Sequence, residues 1–218
     1  MKHMTHTIKH HLSDALLMAY SAGSLPEAFN LTIAAHLSMC DECRARAGAF
    51  DTVGGALMEE TAAVEMSHGS MAAALARAKA APAEPRVRRT RGGVLPAPIQ
   101  AYVGGDLDAV AWRPVGMGVK QAILPTEKGA TARLLYIPAG AAVPDHGHRG
   151  TELTLVLQGA FSDATDHFGA GDIEVANEEL DHTPVADIGA DCICLAATDA
   201  PLRFRGLMPR LAQPFLRI

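Results

Sequence analysis

No apolar run in the 218-residue chain approaches the roughly eighteen residues that a membrane helix needs, so a transmembrane segment is not expected. The polar, histidine-rich start, MKHMTHTIKHH, lacks the apolar centre of a signal peptide, and residence in the cytoplasm is the expectation. Cysteine is scarce, with four residues in the close pairs Cys40/Cys43 and Cys192/Cys194. In such a compartment these pairs suit metal or redox chemistry better than a disulfide scaffold. Excess positive charge is also missing, and a net charge of −5 argues against general nucleic-acid binding. There is a single tryptophan, Trp112, and no internal repeat. The remainder, 49% hydrophobic and 20% charged, fits a globular chain of one large or two small domains.

One stretch breaks that composition. Residues 80–98, AAPAEPRVRRTRGGVLPAP, hold four prolines and two adjacent glycines with almost no apolar periodicity. They read as a tether. The expected division is a front module at 1–81, a flexible basic linker at 82–98 and a back module at 99–218. Arg86, Arg88, Arg89 and Arg91 could form a nucleic-acid arm. No aromatics interleave them and both flanks are acidic, so no direct nucleic-acid contact is expected.

The front module reads as four short helices. Ser13-Asp14 is an N-cap signal before Ala15–Tyr20. Pro26 opens a second helix, Asp41-Glu42 a third, and residues 67–80 a fourth. The stripes Leu12/Leu16/Tyr20 and Met71/Leu75 are more often core than interface, although so short a bundle cannot turn every stripe inward. A core this small seldom supplies more than about 3–5 kcal/mol, which calls for a staple. His36 and Cys40 are four apart at a helix end, and Cys43 lies three further on at the next helix start. All three can converge as part of a tetrahedral zinc site, with a fourth ligand available among the N-terminal histidines.

The back module reads as sheet. Residues 132–138, 152–158, 160–166, 172–176 and 191–198 are strand-like and separated by Gly, Pro or Asp turns. Such a series favours a barrel or jelly roll. His146 and His148 are two apart, and Glu152 keeps their parity if the intervening turn preserves phase. Imidazole with carboxylate suits zinc, iron, manganese, nickel or copper better than magnesium. Cys192 and Cys194, also two apart, read as core residues.

Two resemblances follow from these motifs. Gly140, His146, His148, Glu152 and Gly159 fall in register with the first cupin motif, which implies a metal held inside a double-sheeted β-barrel. His182 is then the implied fourth ligand. The second motif's proline-containing turn is replaced by Gly169-Ala170-Gly171-Asp172, and no asparagine follows His182 at the usual place. His36-x-x-x-Cys40-x-x-Cys43 resembles the signature of the zinc-binding anti-sigma domain, and its register selects His11 over His10, His3 or His6.

In this order the two modules resemble the ChrR-type anti-sigma factors. The resemblance implies a small zinc-bound helical bundle followed by a cupin barrel: an α then all-β chain. His11, His36, Cys40 and Cys43 would hold zinc in front. His146, His148, Glu152 and His182 would hold zinc or another divalent metal behind. It also implies capture of an extracytoplasmic-function sigma factor by the front module. The barrel would tune release under oxidative stress, singlet oxygen included, in response to an oxidant or small molecule. The alternative from another class is a metal-dependent cupin enzyme, a dioxygenase or isomerase. It is disfavoured because the motif lacks an obvious catalytic acid, base or anion-binding arginine beyond Arg133 and Arg149.

Overall fold

A computed structural model describes residues 7–82, 92–178 and 181–204. His3, His6 and the arginine-rich part of the tether lie outside these residues.

Helix α1 (Asp14–Ser21) begins where the Ser13 hydroxyl accepts the Leu16 N–H, satisfying one unpaired donor of the first turn. Pro26 precedes α2 (Glu27–Met39). Cys40 then caps α3 (Asp41–Glu59), its sulfur accepting the Cys43 N–H at 3.4 Å. Helix α4 (Ser70–Ala80) starts three residues later than its apolar pattern suggested, after Gly69 in the left-handed region at φ +81°. Helix α5 (Ala97–Val103) was not anticipated. Just before it, the Asp106 carboxylate accepts the N–H groups of Val94 and Leu95 at 3.0 and 2.8 Å. With Leu95 and Ile99 buried, packed structure resumes by residue 94.

The strands are β1 (Arg113–Gly116), β2 (Val119–Ile123), β3 (Thr131–Ile137), β4 (His146–Gly147), β5 (Glu152–Gln158), β6 (Ala160–Ser162), β7 (His167–Gly169), β8 (Ile173–Ala176), β9 (Asp181–His182), β10 (Val185–Ala186), β11 (Cys192–Thr198) and β12 (Arg203–Phe204). They form one six-stranded sheet, β1-β2-β3-β11-β5-β8, and two three-stranded sheets, β10-β6-β7 and β12-β4-β9. The architecture is α then all-β with a cupin barrel. β6 ends early because the Asp163 carboxylate accepts the N–H groups of Thr165 and Asp166, turning the chain.

The central strands β5 and β11 of the six-stranded sheet are buried on both faces. Along β5, Leu153, Leu155 and Leu157 join the cluster shared with the helices, whereas Val156 joins the barrel interior. In β11, Ile193, Leu195 and Ala197 face the helices, and Cys192 and Cys194 face inward. This is the period-two alternation of a strand with both sides apolar. Helix α2 supplies the outer cover, burying Phe29, Ile33, Ala35 and Leu37 in the same cluster. Tyr102 of α5 adds a polar clasp, donating its hydroxyl to Glu27 of α2 at 2.5 Å.

Candidate metal centres

His11, His36, Cys40 and Cys43 converge, with one ligand atom from each lying within 4.8 Å of the others. The helix junction explains the convergence. His36 closes α2, Cys40 caps α3, and Cys43 occupies the first turn. His11, on the extended segment before α1, brings Nδ1 to 3.3 Å from the Cys40 sulfur and 3.6 Å from that of Cys43. Its other ring nitrogen lies 3.4 Å from a Glu42 carboxylate oxygen, a support that orients a ligating imidazole.

His36 is wholly buried. Its Nδ1 donates to the Gly171 carbonyl at 3.0 Å, because a carbonyl oxygen has no proton to give. The lone pair therefore rests on Nε2, which has no hydrogen-bond partner among the described residues. A buried nitrogen acceptor aimed at two sulfurs and a second imidazole fits a metal ion. Two thiols and two imidazoles form a tetrahedral donor set suited to zinc.

Burial pushes His36 down to about 4 and lifts the Cys43 thiol to about 11. Without a cation, His36 and Cys43 would both be neutral at pH 7. Between pH 4 and 6.5 the unfolded chain binds a proton at His36 that the folded chain refuses. Stability from this group is complete above 6.5 and falls towards pH 4, by about 3 kcal/mol in all. Burial lowers His146 and His148 as well, in the same sense. Chelator-stripped protein should therefore melt at a lower temperature at pH 5 than at pH 7, with a smaller difference in His36→Asn; equal melting temperatures would contradict this assignment.

In the barrel, His146 of β4 and His182 of β9 are direct cross-strand partners. Their Nε2 atoms lie 3.2 Å apart, and His148 Nε2 is 3.3 Å from that of His182. His146 donates Nδ1–H to the Pro144 carbonyl at 2.9 Å. Three buried imidazoles thus bring ring nitrogens to one point that could hold a cation. Glu152 lies beside this group rather than within it. One carboxylate oxygen is 3.7 Å from His148 Nδ1, and the other accepts the Thr154 hydroxyl at 2.9 Å.

Two residues escaped the sequence reading. Asp163 and Glu174 place carboxylate oxygens 2.7 and 3.2 Å from His182 Nδ1. Burial acts against charge on His182, but these carboxylates prevail and hold it at about 9. The available signal was alternation, since Glu174 pairs with Thr154 on the inward face of β8. Cys192 and Cys194 are buried with sulfurs 3.4 Å apart, within the apolar interior cluster.

A His/Cys cluster at a helix junction, packed on a cupin barrel with its own histidine cluster, defines a helical-plus-cupin protein with two donor sets that could hold metal ions. Residues 100–200 match the ChrR cupin-like domain. The anti-sigma-E factor ChrR of Cereibacter sphaeroides is 64% identical over 212 residues, 97% of this chain and 100% of that protein. The crystal structure of Rhodobacter sphaeroides SigE in complex with the anti-sigma ChrR covers 88% of this chain and 100% of the matched one, at 64% identity and a TM-score of 0.77. An RmlC-like cupin from Ralstonia eutropha covers 47% of this chain and 71% of its own, with 25% identity and a TM-score of 0.41. The chain belongs to the ChrR family of anti-sigma factors. It is a regulator and not an enzyme, which removes the dioxygenase or isomerase alternative.

Proposed function

We propose that this chain sequesters an extracytoplasmic-function sigma factor and so holds down the transcription which that factor directs. The observation that carries the reading is α4, which buries none of its residues. Met71 and Leu75 are 76% and 55% exposed, and Leu57 and Met58 at the end of α3 are also bare. Exposed apolar side chains along a helix that packs on nothing else suit docking to a partner. The relative solved with a sigma factor supports the same reading.

Within this proposal, residues 1–81 bind the partner, 82–98 connect, and 99–218 tune release under oxidative stress. His11, His36, Cys40 and Cys43 hold zinc, which would shape the partner-binding module. His146, His148 and His182 hold zinc or another divalent metal, with Glu152 as the fourth ligand once its side chain turns away from Thr154. Asp163 and Glu174 would fix His182 by accepting from its outer nitrogen. The work is cytoplasmic, consistent with four cysteines that are all free and with no helix among the described residues long and apolar enough to cross a membrane.

Full-length Met71→Asp/Leu75→Asp should capture a co-expressed sigma factor at least about 30-fold more weakly, the loss expected from removing interface anchors. Its metal content and melting temperature should stay at wild-type values, because neither side chain lies in the core. Undiminished capture would remove α4 as the docking face.

A further inference from the structure

The turn Gly169-Ala170-Gly171-Asp172, where the sequence departs from the cupin pattern, sits against the front metal centre. Its Gly171 carbonyl receives the His36 Nδ1 proton at 3.0 Å. Asp172 is wholly buried, and its carboxylate accepts the backbone N–H groups of Lys9 at 2.6 Å, His10 at 2.9 Å and Gly169 at 2.8 Å. The Ile173 N–H adds a bond to the His10 carbonyl at 3.3 Å. The segment running into His11 is therefore laced to the barrel up to the residue before the ligand.

Two features fit the turn to this task. A proline at 169 would have no N–H to give, so the Gly169 bond to Asp172 requires a different residue there. Gly171 adopts φ +94°, and a Cβ on it would lie 2.6 Å from Ile8 Cδ1 and 3.7 Å from Met39 Cε. The missing side chain lets the turn reach between the N-terminal segment and the end of α2.

We propose that this barrel turn orients two ligands of the front metal: Asp172 places His11 through the backbone of residues 9–10, and the Gly171 carbonyl sets the tautomer and ring angle of His36. They are positioning residues and do not touch the ion. The proposal rests on the front site being a metal centre, and it gives the barrel a direct mechanical hold on an ion in the other module. Outer partners of this kind change metal affinity by about 10- to 100-fold.

The test uses the full chain and cobalt(II), because thiolate-to-cobalt absorption reports the front site alone; the barrel cluster contains no sulfur ligand. Asp172→Asn keeps the shape but sets an amide N–H against a backbone N–H. Lys9→Pro deletes one of the same bonds from the opposite side without altering the barrel. Both variants should bind cobalt at the thiolate site about 10- to 100-fold more weakly, with a shifted visible ligand-field band. Tyr102→Phe, which cuts the Glu27 clasp between the same two modules, should leave affinity and band unchanged.

Wild-type affinity and an unshifted band in both Asp172→Asn and Lys9→Pro would overturn the positioning role. So would an equal loss in Tyr102→Phe, which would reduce the effect to general docking. If wild type itself gave no thiolate band, the front metal centre would fall first, and this outcome is distinct from the other two.

Discussion

Replacing Cys40 by serine in the full chain should lower bound metal from two ions to one and abolish capture of the sigma factor. Serine is a good residue for capping a helix, and its hydroxyl can accept the Cys43 N–H that the sulfur now accepts. The start of α3 should survive, so the loss would report the ion rather than the helix. The effect is large because α1, α3 and the N-terminal segment contribute few buried side chains: Leu12 before α1, Leu17 alone in α1, and Cys43 and Ala47 in α3. Zinc contributes on the order of 10–16 kcal/mol in finger peptides, which remain unfolded without it. His146→Ala should remove the other ion and leave the thiolate site loaded. Metal analysis and pull-down of the co-expressed sigma factor read both variants. Wild-type capture by metal-depleted Cys40→Ser protein would show that the ion does not shape the partner-binding surface.

Leu155→Ala should destabilise the protein by about 2–5 kcal/mol, the range for a buried leucine that leaves a cavity. Leu155 is fully buried on the outer face of β5, within the cluster that includes Phe29 and Ile33 of α2. The cavity would open between helices and barrel, so both halves should lose stability together. Denaturant unfolding followed at once by Trp112 fluorescence and by the thiolate–cobalt band should give coincident curves, both shifted to lower denaturant. A shifted fluorescence curve beside an unmoved cobalt band would mean that the two halves unfold independently.

The clustering of the His/Cys donors was legible because its geometry is local. Cys40 and Cys43 share the start of one helix, His36 is four residues before Cys40, and His146 and His148 keep the parity of a strand. Spacing alone brings such residues onto one side. The barrel was legible for a related reason, since its longer strands carry continuous β-patterns between Gly, Pro and Asp turns. Partners brought together only by folding were not legible. Asp163 reaches His182 from 19 positions away, and Gly171 reaches His36 across 135; no local period encodes either contact. Helix α5 was hidden by its opening prolines, which resemble the tether they adjoin. The apolar stripe of α4 signalled a helix but not its covering, because Met71 and Leu75 would show the same spacing in a core or on a bare face. The run Leu153–Leu157 carried more than the strand it predicted: apolar residues at successive positions meant a sheet covered on both sides.

That greasy outer wall of the sheet bears on how such a protein can evolve. Leu134, Leu155, Ile193 and Leu195 lie under helices, and a barrel transplanted onto an unrelated effector would carry them into water as an adhesive patch. Genetic shuffling of the barrel therefore succeeds only when the recipient brings a helix contoured like α2, or when compensating polar changes arrive with the graft.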